Sequence, residues 1–318
     1  MNGAVPELSF VIPARNESAY LRRQLPNIRE HVPPHLRFEI TVVDNGSDDD
    51  SVAVARTHGA DAVLECAGTV GAVRNHGAAA SRGSVLVFLD ADVYPTGDWS
   101  ANIASALAEL RKYPRTITGS WVGIPDNPSW IERHWFEPLQ KGSTTHINSG
   151  HLIVDHALFD ELHGFDPSLV TGEDFDFSRR AFAAGARIVD NSRLRVIHEG
   201  FPRTLRAFWR REYWHGLGDY TSLRTFLHSR VAIASQLFLW SIATGVFVAL
   251  TSGRTLALLG GCAGAVGLAA AAAVAKFSDA PLRSLLVNTG LYAAYFSARG
   301  LGLFGRMVGL SGSPREQR

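Results

Sequence analysis

The chain has 318 residues, 46% hydrophobic and 19% charged, with a mean hydropathy of +0.02; that balance excludes a disordered or low-complexity polymer. Two cysteines, Cys66 and Cys262, exclude a disulfide scaffold and any all-cysteine metal site. The net charge of +1 conceals an asymmetry: residues 1–230 carry 24 basic against 28 acidic residues, net −4, and residues 231–318 carry 7 against 2, net +5. A slightly acidic main domain argues against a nucleic-acid partner.

The first residues, MNGAVPELSFVIPARNES, show no basic stretch followed by an apolar run. No secretory signal or transit peptide is read there, and the N-terminal domain is expected to stay in the cytoplasm. Leu8–Pro13 is a short apolar run, Ser18–Glu30 has helical spacing, and Glu39–Val43 is a second run ending in Asp44-Asn45-Gly46-Ser47. Asp50–His58 reads as helix, Ala62–Glu65 as a short strand, and Gly71–Ser81 as helix ending at Arg82-Gly83. Ser84–Leu89 is a third apolar run and stops at Asp90-Ala91-Asp92. Runs that are apolar on both faces and separated by helices predict a parallel sheet covered on both sides. Ligands of such sheets bind beyond the carboxyl ends of the strands. The loops Ala14–Glu17, Asp44–Asp48 and Asp90–Asp92 are therefore expected to meet on one sheet edge. No GxGxxG follows a strand and no GxxxxGK[ST] occurs, so neither a dinucleotide fingerprint nor a P-loop is present.

Four constellations carry candidate chemistry. Carboxylates at i and i+2 at a strand end, Asp90 and Asp92, suit a hard divalent cation that keeps positions open for phosphate oxygens; a turn or cap is the structural alternative. Asp44, at the end of its run, can accept from a base N–H or a ribose hydroxyl, whereas Ser47 or Asp48 is placed to cap the next helix. Glu173, Asp174 and Asp176 crowd the start of the helical run Phe175–Ala184, where the helix dipole alone would favour acids. His198 follows the apolar stretch Leu194–Ile197 and becomes a candidate metal ligand beside Asp92.

The C-terminal third is a different material. Val231–Ala275 holds a single charge, Arg254. Val231–Thr251 and Thr255–Ala275 are 21 residues each, about 30 Å of helix and enough to span a hydrocarbon core. The short linker Ser252-Gly253-Arg254 makes them a helical hairpin; buried helices of a soluble core are the alternative. Arg224 and Arg230 before the first span, and Lys276 and Arg283 after the second, put both outer flanks on the cytoplasmic side. Ser284–Phe304 is a third apolar stretch, interrupted by Asn288 and Arg299, to be read as a third span or as an interfacial helix. Gly260, Gly261, Gly264 and Gly267 predict close helix packing.

Phe10–Glu17 (FVIPARNE), Val42–Asp48, Gly71–Gly77 (GAVRNHG), Phe88–Asp92 (FLDAD), Gly164-Phe165-Asp166 and Glu173-Asp174 together resemble, in order and spacing, glycosyltransferase family 2, the inverting GT-A fold enzymes, over roughly residues 8–200. The resemblance implies an α/β fold, a Rossmann-like GT-A domain with a mostly parallel sheet flanked by helices, followed here by transmembrane helices. The expected division is 1–205 for the GT-A domain, 206–230 for an amphipathic juxtamembrane segment, 231–305 for two or three spans and 306–318 for a basic tail. The implied donor is a UDP-, GDP- or dTDP-sugar. By position, Asp44 looks like the base- or ribose-binding aspartate, with Pro13, Ala14 and Glu17 lining the nucleotide pocket and Arg74 steadying the nucleotide. Asp90, with Ala91, would contact ribose or metal-bound water. Asp92 would hold Mg²⁺ or Mn²⁺ against the diphosphate with His198 as a late contact, and Asp174, beside Glu173, looks like the catalytic base.

Two departures bear on the reading. The family often has two acids where this chain has Asp44-Asn45. The segment Arg210-Arg211-Glu212-Tyr213-Trp214 carries tyrosine where the Q/R-x-x-R-W motif of processive synthases wants arginine. That segment is also a candidate interfacial helix with Phe208, Trp209, Tyr213 and Trp214 as anchors. Trp121, Trp130 and Trp135, with His151, are the acceptor-site candidates, since aromatic faces suit sugar rings or lipid chains; core packing is the alternative for each tryptophan. The expectation is a multi-pass protein of the cell (inner) membrane with its catalytic domain on the cytoplasmic face. It would transfer sugar to a lipid or lipid-linked saccharide for envelope polysaccharide or glycolipid synthesis. The competing functions are a processive polysaccharide synthase and a non-catalytic membrane scaffold that binds nucleotide sugar.

Overall fold

The computed structural model describes residues 5–140 and 145–308. The chain divides into two compact units, one formed by residues 1–126 with 140–200 and the other by 127–139 with 201–318.

The first unit contains β1 (Leu8–Ala14), α1 (Ser18–His31), β2 (Phe38–Asp44), α2 (Ser51–Thr57), β3 (Ala62–Glu65), α3 (Val70–Ala80), β4 (Val85–Leu89), β5 (Val93–Pro95), α4 (Gly97–Lys112), β6 (Thr116–Gly119), β7 (His151–Asp155), α5 (His156–Glu161), α6 (Glu173–Ala183), β8 (Arg187–Asp190) and β9 (Val196–His198). Seven strands form one sheet in the order β3-β2-β1-β4-β7-β6-β8. Strands β1 to β4 run parallel, β7 runs antiparallel to both its neighbours, and β8 is again parallel to β6. The expected mostly parallel sheet is present, and β7 is the exception that the apolar runs do not announce. β5 and β9 pair separately as a two-stranded ribbon.

The reason for the continuous apolar runs is burial on both faces. Phe10, Ile12, Ile40, Val87 and Leu89 point into a core that includes Leu21, Leu25, Trp99 and Ile103 of α1 and α4. Val11, Leu86, Phe88 and Val154 point the other way, against Phe159, Phe165 and Phe177. On the α3 side the approach is close: a side chain at Gly77 would come within 2.5 Å of Val11 Cγ1, so only glycine lets this helix lie on β1.

The second unit contains a π-helical turn, Glu132–Phe136, and the helices α7 (Leu205–Asp219), α8 (Leu223–His228), α9 (Arg230–Ser252), α10 (Thr255–Lys276) and α11 (Leu282–Met307). Among the described residues two helices, α9 and α10, are long and apolar enough to cross a membrane. Their large side chains are mostly exposed, Trp240 at 67% and Leu250 at 81%, which is the opposite of what a soluble core helix does with its apolar surface. Gly261 packs backbone to backbone on Gly245 and Gly264 faces Ser241, so α9 and α10 do approach through small residues; Gly260 and Gly267 face open space.

The third apolar stretch lies within α11 and is handled differently. Asn288 is fully buried, and Arg299 pairs with Glu212 (3.2 Å) and Asp219 (2.8 Å) of α7. Three of the four aromatic anchors expected on α7 make contacts within the protein: Phe208 is buried against Trp135, and Trp209 stacks on Tyr213 and donates to Ser297 Oγ (3.0 Å). Helix–helix packing takes rings that the sequence offered to a bilayer. The expected basic tail falls at 306–318, of which 309–318 lie outside the described residues.

Candidate active site

Three loops converge at the carboxyl ends of β1, β2 and β4, as the strand pattern predicts. Ala14 is in register with Asp44 across β1 and β2, and β4 lies on the other side of β1. Two strand spacings, about 10 Å, therefore separate Asp44 from Asp90. The loops are tied to one another. Asn16, at φ +55°, donates its backbone N–H to Ser47 Oγ (2.9 Å) and accepts from Asp48 N–H (2.8 Å); Glu17 N–H donates to Ser51 Oγ (2.8 Å). Asn45 and Gly68 exchange two hydrogen bonds of 3.0 Å, which adds the loop before α3.

Asp44 is buried and accepts from Gly46 N–H (3.1 Å), Ser47 N–H (3.0 Å) and Ser47 Oγ–H (2.5 Å). These bonds fix its orientation, and a carboxylate with about four acceptor positions keeps one for a ligand. Ala14, Glu17 and Ala91 are buried beside these loops and Pro13 is partly exposed.

The acidic clusters meet through Arg74 of α3. Its guanidinium donates to Asp90 (2.5 Å) and to Glu173 (2.7 Å) and is 2% exposed. Asp90 belongs to the loop after β4 and Glu173 opens α6, so one cation joins segments 83 residues apart. Both ends of the fork are closed on carboxylates. Arg74 thus offers no free fork to a ligand. Glu173, 6% exposed, also accepts from Ser149 Oγ–H (2.9 Å). Asp174 is partly exposed; its carboxylate accepts from Phe175 N–H (2.7 Å) and Ser149 N–H (3.3 Å). Asp176, the third acid, is spent on Arg179 and Arg180 (2.7 Å each), which hold its carboxyl below the usual range against the opposing effect of burial.

Asp92 and His198 face each other across the β5–β9 ribbon, Oδ2 to Nε2 at 3.4 Å. Gly200 keeps their surroundings open: a Cβ there would lie 2.0 Å from Asp92 Oδ2. Ser149 and Gly200 are the residues that sequence reasoning missed. Ser149 lies in the segment NSGH, whose glycine and polar residues signal only a turn.

The four acceptor candidates separate. Trp121 is partly exposed and its ring meets His146, which in turn meets Phe175 beside Asp174. Trp130, 48% exposed, and Trp135, 3% exposed and packed on Phe208, Phe277 and Tyr292, belong to the second unit. His151 has no exposed surface and presents none to an acceptor. Trp99 Nε1–H donates to its Nε2 (3.0 Å) and Ser120 N–H to its Nδ1 (3.1 Å), while Ser120 Oγ lies 2.9 Å from the same nitrogen and donates to Leu194 O (2.7 Å). Burial pushes the imidazole down to about 3. The unfolded chain takes up this proton near the ordinary value of about 6.5 and the folded one does not. The contribution of His151 to stability is therefore complete above that value and falls as the pH drops towards 3. Thermal unfolding in detergent is expected to lose about 2 kcal/mol from this group between pH 7.5 and pH 5. His151→Gln should show a smaller acid loss; an unchanged loss would remove His151 as its source.

Family models match the chain along most of its length: glycosyl transferase family 2 over residues 9–168 and glycosyl transferase family group 2 over residues 141–295. The chain belongs to glycosyl transferase family 2. Among its relatives, glycosyltransferase AglE of Haloferax volcanii is 28% identical over 206 residues, 58% of this chain and 64% of that protein. The pre-mycofactocin glycosyltransferase of Mycobacterium tuberculosis is 26% identical over 290 residues, 81% of this chain and 58% of that protein. The chain thus spans less than two thirds of either relative. A solved structure of this fold, the mannosyltransferase PcManGT of Pyrobaculum calidifontis in complex with GDP-Man and Mn²⁺, superposes with a TM-score of 0.56 at 17% identity, covering 96% of this chain and 88% of that one. The family 2 fold accounts for the loop convergence described above.

Proposed function

We propose that the protein moves a sugar from a nucleotide-diphosphate donor, UDP-, GDP- or dTDP-linked, to a hydroxyl acceptor on a lipid or lipid-linked saccharide, with inversion at the anomeric carbon. The observation that carries this reading is the Arg74 bridge. It brings the Asp90–Asp92 segment, suited to a diphosphate, into one cluster with the Glu173–Asp174 segment, suited to proton removal. PcManGT, with its bound GDP-Man and Mn²⁺, supports the donor class.

In this reading Asp44 holds the base or ribose, with Pro13, Ala14 and Glu17 around it, and Asp90 with Ala91 takes the ribose side. Asp174 accepts the proton of the acceptor hydroxyl as that oxygen attacks the anomeric carbon. The new C–O bond forms as the bond to the diphosphate breaks, and the electron pair leaves with the nucleotide. Glu173, closed behind Arg74 and Ser149, keeps the start of α6 in place.

Asp92 and His198 suit a divalent cation. One carboxylate and one imidazole converge next to the space that Gly200 leaves. Among the described residues no group of three or more His, Cys, Asp or Glu gathers to hold a metal, so phosphate oxygens would complete the coordination. Mg²⁺ or Mn²⁺ bound there would neutralise charge building on the leaving diphosphate. We further propose that α9 and α10 cross the inner membrane as a hairpin. Arg224, Arg230, Lys276 and Arg283 would lie on the cytoplasmic side with the active site, and Arg254 on the far side.

Calorimetric titration with UDP, GDP and dTDP tests the donor and metal parts. Binding of one nucleotide in the presence of Mn²⁺ is expected, weakened at least tenfold by EDTA or by Asp92→Asn. Binding indifferent to both would overturn the metal assignment. Metal-dependent binding without turnover on any lipid or saccharide acceptor would favour the scaffold.

A further inference from the structure

We propose that Trp121, His146 and Phe175 form the acceptor platform, and that it receives an uncharged sugar ring rather than a lipid monophosphate. The inference rests on the transferase reading above and narrows its acceptor.

The three rings come from three segments, each already tied to the site. Trp121 follows Ser120, the residue bonded to His151 at the start of β7. His146 precedes Ile147 and Ser149, whose backbone and side-chain bonds to Ser178, Glu173 and Asp174 fasten this segment along α6. Phe175 adjoins Asp174 and gives it a backbone hydrogen bond. The rings meet in a chain, Trp121 to His146 at 6.0 Å and His146 to Phe175 at 5.7 Å between centroids, both edge-on. Phe175 nevertheless remains 54% exposed, and Trp121 and His146 are partly exposed. An apolar ring left in water on the turn that carries the proposed base, continuous with two more rings, is a surface made for contact. The weakly positive C–H face of a pyranose lies well on such electron-rich rings.

Charge decides between the two acceptor types. The acids here are Asp90, Glu173, Asp174 and Asp176. Of the guanidinium groups of α3 and α6, Arg74 is closed on Asp90 and Glu173, and Arg179 and Arg180 are both closed on Asp176. These pairs offset the charge of Asp90, Glu173 and Asp176, so a phosphate monoester would meet the Asp174 carboxylate, with no uncommitted guanidinium on either helix to receive it. It is also already ionised near neutral pH and needs no base. A sugar hydroxyl does need one: its proton passes to Asp174 as its oxygen bonds the anomeric carbon. A neutral acceptor therefore explains both the rings and the carboxylate.

The test uses the full chain in detergent with saturating Mn²⁺ and the nucleotide it binds, UDP, GDP or dTDP. Methyl glycosides of glucose, galactose, mannose and N-acetylglucosamine serve as probes, followed by saturation-transfer NMR, with citronellyl phosphate as the charged competitor. At least one glycoside should bind through its ring C–H protons and should not be displaced by citronellyl phosphate. Phe175→Ser and Trp121→Ser should each weaken it tenfold or more with nucleotide affinity unchanged, which also reports that the variants are folded. Displacement by citronellyl phosphate, no binding of any glycoside, or undiminished binding in both variants would overturn the platform while the transferase reading stands. Failure of the wild-type protein to bind UDP, GDP or dTDP would instead sink that reading, and the platform with it.

Discussion

Replacing Asp174 by asparagine is expected to slow sugar transfer by about 10²–10⁴-fold, the usual contribution of a positioned general base, with nucleotide affinity unchanged. Asparagine has the same shape and keeps an oxygen for one of the two backbone donors, Ser149 N–H and Phe175 N–H, that orient the carboxylate. The start of α6 should stay in place, so the substitution removes proton acceptance and little else. Asp176→Asn makes the control. It alters an acid two residues away that is already paired with Arg179 and Arg180, and its loss should fall mainly on stability. Initial rates with labelled nucleotide sugar, set beside nucleotide titrations of the same preparations, check both variants. Full activity in Asp174→Asn would remove this residue from the base role.

The second large effect is expected at Arg74. Arg74→Met leaves Glu173, 6% exposed, with Ser149 Oγ as its remaining side-chain partner and no cation beside it. Breaking a buried ion pair from one side costs about 3–5 kcal/mol, which for a domain of this size lowers Tm by about 10 °C. Transfer should be lost as well, because Asp90 and the Glu173–Asp174 turn are no longer held on one rigid fork. Arg74→Lys keeps the charge but cannot bridge two carboxylates in the same geometry, and it should retain more stability than activity. Combining Arg74→Met with Glu173→Gln should recover part of the Tm by removing the stranded charge, with no recovery of transfer. Calorimetric scans of the three variants check the order. An Arg74→Met protein as stable and active as the parent would refute the bridge as an organising contact.

Much of this site was readable before any coordinates, and for local reasons. Leu8–Pro13, Glu39–Val43 and Ser84–Leu89 are apolar at every position because both faces of their strands are covered, and such runs declare both the strand and the kind of sheet. Once the sheet is parallel, its loops have to converge at one edge. The acids in those loops then become candidates by type alone, and family membership follows from the same segments. The helix starting at Glu173 and the apolar pair α9 and α10 were equally local.

What stayed hidden depends on which distant segments touch. Composition does not separate Trp121, at the edge of the site, from Trp135, buried in the second unit. It does not reveal that His151 is sealed between Trp99 and Ser120, or that Arg74 holds two acids. β7 reads as one more apolar run until its antiparallel pairing with β4 brings Ser149 to the start of α6. The aromatic residues of α7 likewise look amphipathic until α11 takes Trp209 and Arg299 draws on Glu212.

The chain's own residue order therefore determined the strand–helix alternation, the loop edge, the acids and the apolar hairpin, because dihedral preference and two-sided burial act within a few residues. Only the tertiary structure decided which acids are ion-paired, which cation is already committed and which rings remain in water. Those properties belong to contacts between residues tens of positions apart, and no periodicity in the chain encodes them.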